Sequence, residues 1–323
     1  MAVIYGYQDV VFAISRYHLH PGAETAIYTP SSSPPNFANP WSNTLNGHPG
    51  VQAKSTENPT GQGDITLVYD FGTSDPSQIL KMNAVGLVNL TWIGANKLDD
   101  EDLEVTIRTA ASPTQAGSIV FSPSANQRRL RMESATSRTW LLQLDEVEHT
   151  QPSVPFLRSV RVIFDSYPTS TKLRWIGVGE VFFGTLYHPP CPTYPVTIKQ
   201  RPGMLLRSSD AGWSWERRTR EATTEITLRW FGISIEERIE LQQFAANAGD
   251  PWYADHIGQN PAPRPGLADF GSPMLLSMHE DPYGTDPGVV RNAIYCVVDP
   301  RSVVFQQDVS GLWNVQMTFL EVS

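Results

Sequence analysis

The chain has 323 residues, of which 40% are hydrophobic and 18% are charged, so it is long enough to bury a core in each of two domains. Its formal net charge is −9. This acidity excludes a general nucleic-acid binder, because neutralising phosphates needs clustered lysine and arginine.

Targeting and redox features are sparse. The first 20 residues carry Asp9 within an apolar stretch and have no basic region, so we expect no signal peptide. No run approaches 18 apolar residues, and we therefore also expect no membrane span. The two cysteines, Cys191 and Cys296, are too few for a disulfide framework. We expect both to be reduced and structural, in a protein that is synthesised in a reducing cytoplasm.

The first half of the chain alternates between loops and short β-rich runs. Residues 22–63 are rich in Pro, Ser, Asn, Thr and Gly and predict long loops on a β scaffold, and residues 111–137 are also loop-rich. Leu103, Val105 and Ile107 share one face of an alternating run, which is the pattern of a half-buried strand. The predicted strands of this half cover residues 65–69, 84–92, 103–108, 140–144, 159–164 and 173–183.

A proline-rich segment divides the chain. Four prolines lie within residues 188–195, where they exclude a helix or a central strand and favour a stiff extended connector. We therefore predict a first domain over residues 1–188, a connector over 189–195 and a second domain over 196–323, with few contacts across the joint.

The second half contains the one convincing helix. Ser234 and Glu237 form a capping box at its start, Gly249 stands where a C-terminal cap belongs, and Pro251 prevents continuation. This predicts a helix over 235–248, whose apolar stripe consists of Ile235, Ile239, Phe244, Ala245 and Ala248. The predicted strands cover residues 223–230, 274–278, 293–298, 303–305 and 313–319.

The sequence has no compact catalytic or cofactor motif: the phosphate-loop, dinucleotide, nucleophile-elbow and zinc-protease patterns do not occur. His18 and His20 could begin a metal site on a strand, but no third ligand can be assigned. The acidic run at 99–102 is contiguous, whereas a calcium loop needs alternating ligands, so we interpret it as a solvated loop. We expect no catalytic residue, no cofactor and no metal.

The tryptophans raise a second possibility, a carbohydrate site. Trp92, Trp175, Trp230 and Trp313 fall within apolar strand patterns, where core packing is expected. Trp41, Trp213 and Trp252 stand in polar or loop context and are better candidates for stacking on sugars or for protein interfaces. Trp41 is the residue that we predict for a glycan contact.

Two stretches resemble proteins of long-tailed bacteriophages. Leu67-Val-Tyr-Asp-Phe-Gly72, followed by residues 82–92, 161–165 and 175–184, resembles the discoidin-like jelly rolls of phage tail proteins. Gly212-Trp-Ser-Trp-Glu-Arg-Arg-Thr-Arg-Glu221, the helix and the ending Phe319-Leu-Glu-Val322 resemble the tail-tube-like β domain of distal tail proteins. Those proteins usually place the ring-forming domain first, whereas here the jelly-roll-like half comes first.

The resemblance implies a mainly β fold, with an N-terminal jelly-roll β-sandwich followed by a tail-tube-type β domain that carries one α-helix. It also implies a structural, non-enzymatic subunit of the virion's tail tip or baseplate, forming a homo-oligomeric ring, hexamer or trimer, around the tail axis. The implied partners are the tail tube, hub, tape-measure and receptor-binding or fibre proteins. We expect the ring interface to include Trp213, Arg217, Arg220, Glu225, Arg229 and Trp252, and Glu221 and Glu225 to face a channel. The alternatives are a carbohydrate-binding module on the virion and a glycosidase or other hydrolase.

Overall fold

A computed structural model of the chain describes residues 7–15, 25–27, 37–39, 44, 49–55, 64–70, 84–94, 102–110, 116–121, 129–130, 138–144, 159–167, 173–193, 196–201, 204–208, 214–218, 223–247, 273–281 and 290–322. They form 23 strands, one α-helix and a short 3-10 helix at Pro300–Ser302. The expectation of a mainly β chain with one helix is therefore confirmed for the described residues.

The strands of the first half run from β1 to β14. Their bounds are β1 Tyr7–Ser15, β2 Thr25–Ile27, β3 Phe37–Asn39, β4 Ala53–Ser55, β5 Ile65–Asp70, β6 Ala84–Val88, β7 Thr91–Gly94, β8 Asp102–Ala110, β9 Ser118–Phe121, β10 Arg129–Leu130, β11 Trp140–Gln143, β12 Ser159–Tyr167, β13 Leu173–Val178 and β14 Glu180–Tyr187.

The second half contains β15 to β23 and the helix α1. Their bounds are β15 Thr197–Arg201, β16 Met204–Ser208, β17 Ser214–Arg218, β18 Thr223–Ile233, α1 Ile235–Asn247, β19 Met274–Asp281, β20 Val290–Asn292, β21 Ile294–Val298, β22 Val304–Gln307 and β23 Trp313–Glu321.

The pairing of these strands is antiparallel throughout and gives four sheets. The main sheet has the order β15-β18-β23-β21-β19-β1-β14-β6-β11-β20, with β22 paired to β23. A second sheet has the order β10-β8-β12-β5-β2, with β9 paired to β8, and a third has the order β3-β4-β13-β7. Strands β16 and β17 form a separate hairpin.

The main sheet closes on itself in its central part. Only Ala293 separates β20, which pairs with β11, from β21, which pairs with β19. The Ala293 amide donates to the Thr139 carbonyl at 3.0 Å, and the Ser277 hydroxyl donates to the Asn292 carbonyl at 2.8 Å. Strands β19, β1, β14, β6, β11 and the segment 290–298 therefore form a six-stranded barrel, an arrangement that leaves no open edge around its circumference.

The interior of this barrel is filled by side chains. Its apolar members come from all six strands: Val11, Ala13, Ala84, Val88, Leu141, Phe182, Leu275, Ala293 and Tyr295. Glu180 and Arg291 lie on the same alternating face and are also buried. Burial is the main reason why the pKa of the Tyr295 hydroxyl is raised, and the Glu180 carboxylate raises it further.

Two further cores lie on the outer face of the barrel. One lies between the β6, β11 and β14 side of the barrel and the second and third sheets, and it includes Tyr69, Trp140, Phe164 and Phe183. The other joins β1 and β19 to β18, β21, β23 and α1, and it includes Phe12, Trp230, Phe244 and Phe319. Side chains alternate along the barrel strands, so one face of a strand packs in the barrel interior and the other face packs in an outer core.

The main sheet crosses the predicted domain boundary. Strand β1 of the first half pairs with β14 on one side and with β19 of the second half on the other, over eight residue pairs from Tyr7↔Asp281 to Ile14↔Met274. Strand β20 of the second half likewise pairs with β11 of the first. The division at residues 189–195 stays a prediction, but backbone hydrogen bonding between the halves is extensive.

Helix α1 begins with the predicted capping box. The Glu237 amide donates to the Ser234 hydroxyl at 3.2 Å, and the Ser234 amide donates to the Glu237 carboxylate at 2.8 Å, which confirms the prediction. Ala248, Gly249 and Pro251 lie outside the described residues.

The predicted apolar stripe of the helix is only partly right. Phe244 is buried as expected, together with Leu241 and Ala245, but Ile239 is half-buried and Ile235 is 51% exposed. At about 3.6 residues per turn, a face that contains residues 241, 244 and 245 is about 120° away from residue 235. Leu241, which the prediction omitted, lies at the centre of that face.

Candidate assembly interface

Three of the predicted interface residues lie in described strands. Arg217 is in β17, and Glu225 and Arg229 share one face of β18. The other candidates, which are Trp213, Arg220, Trp252, Glu221 and the predicted glycan contact Trp41, lie outside the described residues.

Glu225 is buried on the face of β18 opposite the core residues Ile226 and Leu228. It is 8% exposed, and one of its carboxylate oxygens lies 3.8 Å from the Nζ atom of Lys199, its cross-strand neighbour on β15. The Lys199 side chain is itself 64% exposed, so the pair contributes little net stability. The burial of Glu225 counts against the expectation that its carboxylate lines a channel.

Polar contacts tie β18 to β23. The Arg229 Nε atom donates to the Gln316 side-chain carbonyl at 3.0 Å, and the hydroxyls of Thr227 and Thr318 lie 3.0 Å apart. Cross-strand pairs of this kind stabilise a sheet and fix its register. Arg229 is therefore part of the framework of the sheet.

The connector lies along the outer edge of β18. The Thr193 amide donates to the Arg229 carbonyl at 2.6 Å, the Thr193 hydroxyl accepts from the Phe231 amide at 3.1 Å, and the Trp230 Nε1 atom donates to the Pro190 carbonyl at 2.7 Å. The connector thus covers the part of the β18 edge that β15 does not reach.

The part of the main sheet formed by β15, β18, β23 and β22 has an unpaired edge on each side among the described strands. Among the strands that the structure describes, β15 pairs only with β18, and β22 pairs only with β23. Each carries an exposed β-branched residue, Ile198 at 56% and Val304 at 48%. Exposed edges of monomeric proteins are usually guarded by charge, proline or a bulge, yet β22 reads Val-Phe-Gln-Gln and has no charge.

The hairpin of β16 and β17 lies between β15 and β18 in the chain. Its register pairs Leu205 with Arg217 and Arg207 with Trp215, and no other described strand joins it. A two-stranded hairpin alone is marginally stable in water, so packing against another surface would stabilise it.

An apolar group lies at the end of β18 and β23 near the helix start. Gly232, at φ +69°, sits at the irregularity where β18 shifts its register on β23, and a Cβ there would lie 3.7 Å from the Leu312 side chain. Phe231, Ile235 and Leu312 are all exposed. We call these three residues the end patch.

Sequence reasoning missed the exposed edge residues. The run 196–201 has three β-branched residues directly after the last proline of the connector, which is a strand signal. Its position as an edge depends on which strands pair, and the local pattern does not contain that information.

The described part of the chain contains neither a metal-binding cluster nor a membrane-spanning helix. Among those residues, no group of three or more His, Cys, Asp and Glu side chains could hold a metal ion. None of the helices described there is long and apolar enough to cross a membrane.

Comparisons with known proteins gave no match: no family model, no curated protein and no solved structure matches this chain.

Proposed function

We propose that this chain is a structural subunit of the tail tip of a long-tailed bacteriophage, and that copies of it assemble into a ring around the tail axis. The ring joins the tail tube to the hub, tape-measure and receptor-binding proteins. In this proposal the first half is a jelly-roll sandwich and the second half is a domain of tail-tube type.

The observation that carries the proposal is the pair of open edges, β15 and β22. A ring contact is heterologous, so every subunit must offer two different complementary surfaces. β15 and β22 are different strands at opposite margins of the sheet β15-β18-β23-β22, and both expose apolar side chains. Pairing β15 of one copy with β22 of the next would satisfy both edges and continue the sheet from subunit to subunit.

Other features support assembly. The hairpin β16–β17 follows β15 directly in the chain, pairs with no other described strand and would be stabilised by packing on a neighbouring copy. The end patch provides further exposed apolar side chains, distinct from both edges, that a protein stacked along the tail axis would cover.

The placement in a phage tail depends on the sequence resemblance. The motifs of residues 67–72, 82–92, 161–165 and 175–184 resemble tail jelly rolls, and those of 212–221 and 319–322 resemble distal tail proteins. The net charge of −9 is compatible with a channel that passes DNA, because like charge keeps the polyanion from adhering.

Edge variants test the assembly. Ile198→Lys and Val304→Lys each place a charge on one edge, and Ile119→Lys, on β9 of the first half, is the matched control at a similarly exposed isoleucine. Mass photometry of the wild-type protein should give one discrete closed oligomer. The control should keep that oligomer, while each edge variant should lose it.

Mixing the two edge variants distinguishes a ring from a two-fold dimer. Ile198→Lys retains an intact β22 edge and Val304→Lys an intact β15 edge, so a heterologous contact predicts that the mixture forms a mixed dimer that grows no further. A wild-type protein that stays monomeric at all concentrations, or edge variants that assemble as the wild type does, would contradict the proposal.

A further inference from the structure

The outer face of the third sheet carries a half-buried tryptophan that the sequence pattern assigned to the core. Along β13, Ile176 and Val178 point into the core, whereas Trp175 and Gly177 lie on the opposite face. Trp175 is opposite Ile93 of β7, which is 39% exposed. The bulge between Leu173 and Trp175 shifts the alternation, and this shift is why a simple alternating pattern misplaces the tryptophan.

The indole ring lies along the sheet because a glycine leaves room for it. A Cβ at Gly177 would lie 3.3 Å from a ring carbon of Trp175, 2.8 Å from the Thr91 hydroxyl and 2.9 Å from the Gln52 carbonyl oxygen. Any larger residue at this position would displace the ring or the polar pair beside it. Gly177 and Thr91 are themselves buried, so the glycine allows the ring to pack closely against the polar pair.

The polar groups beside the ring are held in place. The Gln52 Nε2 atom donates to the Asn89 carbonyl at 2.7 Å and to the Thr91 hydroxyl at 3.3 Å. Asn89, at φ +49°, donates in turn to the Pro49 carbonyl at 2.8 Å. These contacts fix the loop at residues 49–52 against the turn between β6 and β7, which makes the surface preorganised.

A cation already lies over the ring. The Lys54 Nζ atom is 4.0 Å from the ring centroid of Trp175, and Lys54 is exposed. That face of the indole is therefore not covered by core packing. Exposed cation–π contacts contribute only about 0.5–1 kcal/mol, so a ligand can displace the lysine at small cost.

We propose that Lys54, Ile93 and Trp175, which we call the platform, bind an acidic oligosaccharide. The apolar face of a pyranose ring stacks on Trp175 and reaches Ile93, and the ammonium of Lys54 moves aside to pair with the anionic group of the sugar. The half-buried Gln52 lies beside the ring and is held there by the buried Thr91 hydroxyl. The combination of an aromatic face and an adjacent cation favours a charged sugar over a neutral one.

This binding activity goes beyond ring assembly and does not depend on it. The platform lies in the third sheet of the first half, whereas the open edges belong to β15 and β22. Loss of sugar binding with an intact oligomer, or the reverse, would separate the two proposals.

The test uses the full-length protein on an array of neutral, uronate-bearing, sialate-bearing and phosphate-bearing glycans, followed by calorimetric titration of the best acidic hit and its neutral analogue. We expect acidic glycans to bind preferentially, and the class of anion on the hits identifies the ligand's charged group. Trp175→Ala should weaken binding of the acidic hit at least about ten-fold, the change that about 1.4 kcal/mol produces. Lys54→Glu should abolish acidic binding and leave any neutral binding unchanged.

One control and one second test variant keep the result interpretable. Ile119→Ser, on β9, should bind as the wild type does, and the thermal midpoints of all variants are compared with it. Because Lys54 is exposed, Lys54→Glu tests the platform even if Trp175→Ala loses stability. Absence of binding to every acidic glycan, or wild-type affinity in Lys54→Glu, would overturn the proposal.

Discussion

Gly86 of β6 and Leu275 of β19 meet across the interior of the barrel. A Cβ placed on Gly86 would lie 2.1 Å from the Cδ1 atom of Leu275 and 3.0 Å from the Cβ atom of Phe182. The two strands come from different halves of the chain, and β1 and β14 separate them in the sheet order. The barrel interior is therefore a shared core, and its packing links the stability of the two halves.

This relationship predicts that Gly86→Ala overpacks the barrel. The added methyl group has no space beside Leu275, so the variant should lose about 1–3 kcal/mol of unfolding free energy in a denaturant titration. Gly86→Ala combined with Leu275→Ala should be more stable than the sum of the two single changes implies, because the smaller side chain accommodates the methyl group. Additive effects would show that the two residues do not meet.

The local pattern of the sequence predicted many elements but could not predict the barrel. The alternation of Leu103, Val105 and Ile107 and the capping box of Ser234 and Glu237 are local signals, and both correspond to observed structure. Barrel closure depends on pairing Trp140 with Asn292, residues far apart in the chain, and no local pattern encodes that register. The proline-rich connector predicted two domains. No local pattern indicated that β1 of the first half would pair with β19 of the second.

Helix α1 should be anchored by Phe244. The ring centroids of Phe12 and Tyr187 lie 4.7 Å and 4.8 Å from that of Phe244, which is 1% exposed. Phe244→Ala should therefore lower the unfolding free energy by about 3–5 kcal/mol. Ile235→Ala, on the exposed face of the same helix, is the control and should change it by less than about 0.5 kcal/mol. Equal losses in the two variants would mean that the buried face is assigned incorrectly.

The two cysteines should differ in reactivity. Cys191 is exposed, whereas Cys296 is buried. Burial is the main reason why the pKa of the Cys296 thiol is raised, and the Glu321 carboxylate raises it further. Because the thiolate is the reactive form, a thiol reagent should modify one cysteine in the native protein and two in denaturant. Cys191→Ser should show no native reaction, and rapid modification of that variant would contradict the burial of Cys296.

Asp308 should make the β22–β23 hairpin sensitive to acid. Its carboxylate accepts from the Ser310 hydroxyl, from the Ser310 amide at 2.8 Å and from the Leu312 amide at 3.2 Å, and these bonds, led by that of the Ser310 hydroxyl, lower its pKa from 3.8. A carboxyl group with a lowered pKa stabilises the fold above its unfolded pKa and loses that contribution as the pH falls through its folded pKa.

Asp308→Asn should therefore be less stable than the wild type at pH 7, and the difference should shrink as the pH is lowered from about 5 to about 2. Chemical denaturation at a series of pH values measures this. A difference that stays constant over the acid range would show that the carboxylate charge has no part in holding the turn.

The sequence predicted that Glu225 and Arg229 lie in a strand, but it could not predict which strands lie beside that strand. Glu225 and Arg229 lie on one face of β18, where Lys199 is close to the first and Gln316 accepts a hydrogen bond from the second. The edges are defined by Ile198 and Val304, whose exposure depends on which strands have no neighbour. Trp175 illustrates the same limit. The sequence predicted it in the core, whereas a bulge in β13 places it on an outer face.

Electron microscopy of the purified protein and of phage tails carrying it tests ring assembly most directly. The account predicts rotationally symmetric rings, trimeric or hexameric, in which density is continuous between β15 of one subunit and β22 of the next. Ile198→Lys and Val304→Lys should abolish the rings, and Ile119→Lys should preserve them. Particles that are monomeric at every concentration, together with tails that contain none of the protein, would contradict the account.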